Sequence, residues 1–67
     1  MGRNVLRFRE ELGLSQEELA FEAGIHRTYI SGVERGVRNP TVLVLARIAS
    51  ALKVHPSDLL EDRRRTH

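Results

Sequence analysis

The stretch "SQEELAFEAGIHRTYISGVERG", Ser15 to Gly36, decides how this chain folds. Ser15 stands three residues before Glu18, the spacing of a capping box, so a helix is expected to start at Gln16. Its apolar positions are Leu19, Ala20 and Ala23, and Gly24 is expected to end it. A second helix starts near Arg27, with Ile30 and Val33 as its apolar side, and Gly36 is expected to stop it. Two short helices joined by a tight, glycine-containing turn form a helix-turn-helix, whose second helix enters a major groove. That arrangement needs a small residue where the helices cross, a turn-former between them and an apolar lock. Ala20, Gly24 and the trio Leu19, Ile30 and Val33 meet those needs together.

The flanks extend the helical pattern. Val5, Phe8 and Leu12 fall at i, i+3 and i+7 in a segment spanning about residues 3–12, with Gly13 as its stop. Beyond the loop "RNPT", Thr41 can cap a fourth helix over 42–52, whose inward stripe is Val42, Leu45, Ile48, Ala49 and Leu52. "HPSDLL" starts a last short helix, with Pro56 in the first turn and His55 capping it. Leu59, with Leu60 as a further candidate, closes the core. The expected fold is all-α with five helices: residues 1–62 as one domain and 63–67 as a basic, disordered tail.

Composition narrows the function. Sixty-seven residues make one small domain, and without cysteine it has neither disulfide nor thiolate metal site. No apolar run approaches the roughly 20 residues of a membrane helix, and the N-terminus lacks a signal-peptide core. A cytoplasmic setting without membrane association is expected. His26, His55 and His67 are scattered, none at i, i+4 spacing, so no metal site is expected. Phosphate loops, nucleophile elbows and cysteine nucleophiles are absent, so neither enzyme activity nor a cofactor is expected.

The net charge of +2 is unevenly distributed. Residues 10–22 carry Glu10, Glu11, Glu17, Glu18 and Glu22 without a base, whereas residues 26–39 carry Arg27, Arg35 and Arg38 against Glu34. At 100° per residue, Arg27, Thr28, Ser31, Gly32 and Arg35 share an arc of about 140°. Alone, such an arc is as well explained by a solvated helix face; within a helix-turn-helix it is the surface that meets DNA.

The run "LSQEELAFEAGIHRTYISGVERGVRNPTVLVLARIASALKVHPSDLL" resembles the Cro/C1-type, or XRE, helix-turn-helix family of bacterial and phage repressors, with its lambda-repressor-like fold. The resemblance covers about Val5 to Leu60. Within the family, "RTYISGVERGVRNPT" is most similar to controller proteins of restriction-modification systems, small dimeric regulators that bind operators upstream of their own gene. The resemblance implies double-stranded operator DNA and a second copy of the chain as partners, RNA polymerase as a further candidate partner, and a bacterial or phage, nucleoid-associated setting.

It also implies residue roles. Arg27, Thr28 and Ser31 would face base edges; Arg suits guanine, and Thr can touch a thymine methyl. Gln16, Tyr29, Arg35, Arg38 and Asn39 would contact the DNA backbone, with Gln16 also buttressing the start of the third helix. Gly32 would let the backbone approach the groove; it stands where relatives often carry a longer reader, which shifts discrimination toward DNA shape. Arg9 and Glu34 would form a structural ion pair. Leu43, Val44, Ala51, Val54 and Leu60, on helices four and five, would form the dimer contact. A protein-interaction module of antitoxin or adaptor type is the rival reading, and charge-driven nucleic-acid compaction a second. The triple arginine Arg63 to Arg65 reads as a solubilising tail rather than a DNA arm.

Overall fold

Ser15 and Glu18 cap each other. Ser15 Oγ accepts the Glu18 N–H at 3.0 Å, and Glu18 Oε1 accepts the Ser15 N–H at 2.8 Å. In this computed structural model, which describes residues 1–61, that box opens the second of five helices. They are α1 (Gly2–Glu11), α2 (Gln16–Ala23), α3 (Arg27–Glu34), α4 (Val42–Leu52) and α5 (Pro56–Leu60). Asp62 and the arginine tail of residues 63–67 lie outside the described residues. Among the described residues no helix is long and apolar enough to cross a membrane.

The core gathers one stripe from each helix: Val5; Leu19, Ala20 and Ala23; Ile30 and Val33; Ile48, Ala49 and Leu52; and Leu59. Phe8, Ile25, Tyr29, Val44, Leu45, Ala51 and Val54 pack around it, half-buried. α2 sits between α3 and α4, and α1 packs on α3, α4 and α5. Thr41 Oγ1 accepts the Val44 N–H at 3.2 Å and starts α4. The His55 N–H donates to Asp58 Oδ2 at 2.9 Å, and His55 Nδ1 accepts from the Ser57 N–H at 3.4 Å, starting α5. Buried Asn4 fastens the two ends of the domain, donating its amide to the carbonyls of Leu59 and Glu61.

Four of the helices end in the same reversal, with the chain curling back to bond carbonyls of the last turn. At Gly24 the reversal makes the helix-turn-helix turn: φ is +72°, and the Ile25 N–H reaches the Ala20 carbonyl at 3.0 Å. A side chain at Gly24 would strain the backbone that sets the angle between α2 and α3.

Two expected core positions lie outside it. Leu12 is exposed because α1 ends at Glu11, so the i+7 position falls on the terminal turn at the surface. Val42 is 85% exposed; as the first residue of α4 it projects beyond the packed part of that helix. Leu59 is buried, whereas Leu60 faces solvent.

The reversal after α4 uses Lys53 at φ 61°, the one non-glycine left-handed residue among those described. An L side chain costs on the order of 1 kcal/mol there. Lys53→Gly is therefore expected to stabilise the domain by about 0.5–1 kcal/mol, read as a higher urea midpoint with unchanged slope.

Candidate nucleic-acid interface

α3 is packed from behind, tied at its C-terminal end and open along one side. Ile30 and Val33 are buried, and Tyr29 is half-buried against the core. Arg27, Thr28 and Arg35 are exposed and Ser31 is half-exposed, all within the arc expected from helical geometry. Among the described residues none of these four side chains makes an intramolecular hydrogen bond or ion pair, so their donors are free. His26 precedes α3 with extended backbone and no side-chain cap, which leaves the positive end of the helix dipole uncovered. Arg38 and Asn39 follow α3 in an exposed loop.

Glu34, the last residue of α3, is where the domain is tied together. Arg9 Nε donates to its Oε2 at 2.6 Å and Nη2 to its Oε1 at 3.1 Å. The remaining Arg9 nitrogen, Nη1, donates to the Leu14 carbonyl at 2.8 Å. The two side chains are 13% and 5% exposed. The hydrogen bond to Glu34 is the main cause that raises the Arg9 pKa above its ordinary value, with burial opposing it and the charges of Glu34 and Glu10 adding to it. A raised folded-state pKa means that this stabilisation is complete below the ordinary arginine value. It is lost only as pH climbs through the raised one, so the pair holds throughout the neutral range.

Gln16 takes part in the same node. Its amide donates to Glu34 Oε1 at 2.9 Å, so it braces the end of α3 rather than the start. The carboxylate sits at the far end of the helix from Arg27, and an amide on the first residue of α2 reaches it. Gly32 also differs from expectation. It is buried beneath the side chain of Arg38 and is not open to an approaching groove.

The expected dimer residues divide by exposure. Leu43 and Leu60 are 63% and 60% exposed, while Val44, Ala51 and Val54 are half-buried beside the core. Sequence reasoning missed one surface feature. Phe21 is 83% exposed on α2 among Glu17, Glu18 and Glu22, where helical periodicity signals only that it lies off the inward stripe. Among the described residues no three His, Asp or Glu side chains gather as a metal set.

Comparison with known proteins agrees with this geometry. Residues 5–59 match the family model described as Helix-turn-helix. The control protein C.BamHI of Bacillus amyloliquefaciens is 48% identical over 61 residues, spanning 90% of this chain and 75% of its own length. The crystal structure of the restriction-modification controller protein C.AhdI from Aeromonas hydrophila superposes with a TM-score of 0.84 at 43% identity, covering 87% of this chain and 88% of that one. The structure of SinR, a master regulator for biofilm formation, in complex with DNA gives 0.85 at 34% identity, over 90% of this chain and 97% of that one.

Removing one partner of the central pair leaves a buried charge unpaired. Glu34→Ala is expected to cost about 3–5 kcal/mol, measured by urea unfolding at neutral pH. An unchanged midpoint would mean that the pair does not hold the helices.

Proposed function

The chain belongs to the Cro/C1-type (XRE) helix-turn-helix family, and on that premise we propose that it is a sequence-specific, double-stranded DNA-binding transcriptional regulator. The observation that carries this reading is the α3 surface, where Arg27, Thr28 and Ser31 stand with free donors on a helix locked from behind. Arg27 and Thr28 begin the helix, the end that enters a major groove in this motif. Arg27 offers a bidentate fork to guanine O6 and N7, and Thr28 a hydroxyl and a methyl. Arg35, Arg38, Asn39 and Tyr29 flank the readers and grip phosphates, fixing register. Gln16 reaches the phosphate backbone through the start of α2, its side-chain amide being held by Glu34.

The regulator acts as a homodimer, with Leu43 and Leu60 as the apolar surface that a second copy covers and Val44, Ala51 and Val54 supporting it. Two copies then present two recognition helices to half-sites about 34 Å apart. Its similarity to C.BamHI and C.AhdI supports the narrower reading of a restriction-modification controller protein. Bound at a promoter, it excludes RNA polymerase or, when placed upstream, contacts it. The working site is nucleoid DNA in a bacterial or phage setting.

Selection of bound duplexes from a random pool tests the whole reading, since a specific regulator returns a two-fold motif with that spacing. A pool that stays random, with affinity set by salt alone, overturns it in favour of charge-driven binding. On the selected operator, Arg27→Ala is expected to cost about 1–3 kcal/mol in fluorescence-anisotropy titrations and to relax preference at one base position. Full affinity and discrimination in that variant would mean that Arg27 does not read a base. Leu43→Asp is expected to move the sedimentation profile from dimer to monomer, and an unmoved profile rejects this interface.

A further inference from the structure

We propose that Gly32 and Tyr29 form a seat on α3 that holds Arg38 in place for a DNA phosphate before DNA arrives, which makes Gly32 a positioning residue for binding. The proposal rests on the DNA-binding reading above and adds to it how one contact is prepared.

Glycine is a poor choice within a helix, yet Gly32 lies inside α3, at the border of its solvent arc. It is nonetheless buried, and Arg38 is what covers it. A Cβ added at residue 32 would lie 3.0 Å from both Cγ and Cδ of Arg38 and 3.4 Å from its Nε. The aliphatic stem therefore occupies the space that any other residue at this position would fill. From there the guanidinium extends over the Tyr29 ring, with Cζ 5.4 Å from the centroid. The backbone makes the same return. The Gly32 carbonyl accepts the N–H groups of Val37 at 2.9 Å and Arg38 at 3.2 Å. Main chain and side chain of the loop thus fold back onto one helical position.

The consequence is entropic. An arginine free in water loses its rotamer freedom when it grips a phosphate, and that loss weakens binding. An arginine already laid in a seat has lost much of it on folding. A cation held over an aromatic ring is attracted without a conventional hydrogen bond, so its N–H donors are not consumed and can meet an anion. Among the described residues those donors have no hydrogen-bond partner. Arg27 and Arg35, exposed on the same surface, have no comparable seat among the described residues.

Two measurements test this. The first needs no DNA: ¹⁵N relaxation of the arginine Nε groups in the free protein. Arg38 Nε is expected to be well ordered and Arg27 and Arg35 mobile, and Gly32→Ala should bring Arg38 to their level while thermal stability holds or rises. Equal mobility of all three in the unaltered chain overturns the seat. The second is a double-mutant cycle on the selected operator. Gly32→Ala should weaken binding about tenfold, the scale of one misplaced charge-assisted contact, and should change nothing in an Arg38→Ala background. The same loss in both backgrounds overturns the proposal, because Gly32 would then act directly on DNA. A chain that selects no duplex overturns the DNA-binding reading and the purpose of the seat, while the relaxation measurement still decides whether the seat exists.

Discussion

The Glu34 carboxylate constrains everything else in this domain. It ends α3, receives two nitrogens of an arginine from α1 and the amide of Gln16 from α2, and is almost wholly buried. Apolar packing of Ile30 and Val33 presses α3 onto the core, and the directional bonds at Glu34 fix the position of its last turn. A helix of eight residues is about 12 Å long, so a small rotation at the Glu34 end displaces Arg27 and Thr28 at the other. The ion pair is thus better understood as an aiming device than as a source of net stability, because burying both charges offsets much of their attraction.

The same bond shapes the electrostatics. A free glutamate at the end of α3 would repel phosphates beside Arg35 and Arg38. Paired with Arg9, it contributes little field, and the cations of α3 and its loop act unopposed on their side of the molecule. The outward side of α2 carries Glu17, Glu18 and Glu22 around Phe21. With a net charge of only +2, the chain has little general attraction for a polyanion. On the proposed reading, affinity depends on where individual arginines are held, and the acidic side of α2 would be turned from DNA by its own charge.

Features that depend on residues close along the chain are legible in the amino-acid sequence. The capping box at Ser15 and Glu18, the turn at Gly24 and the cap at Thr41 each follow from a few neighbouring residues. The central stripes are legible too, because Leu19, Ile30, Ile48 and Leu52 lie well inside their helices. Periodicity fails at helix ends. Leu12 and Val42 have inward angles, but no neighbouring element reaches the positions they occupy. The candidate site is half legible. An angular projection places Arg27, Thr28, Ser31 and Arg35 on one side, but it carries no information about what folds over that side. Gly32 therefore reads as open space, although the reversal after α3 returns a residue six positions later to cover it. The partner of Gln16 is likewise invisible in the sequence, since an amide at the start of one helix and a carboxylate at the end of the next meet only once the turn angle is set.

Gly32 also shows how stability and function divide along a single helix. Alanine there would favour α3 by roughly 1 kcal/mol on intrinsic propensity. The glycine instead admits the stem of an exposed arginine, whose methylenes cover helix backbone and whose charge stays at the surface. Burying a few methylenes of a side chain that could otherwise move freely does little more than offset that propensity. Stability alone therefore gives no reason for this arrangement. The proposed DNA contact supplies one: on that reading, Arg38 held beside α3 extends the reach of the helix past its last turn.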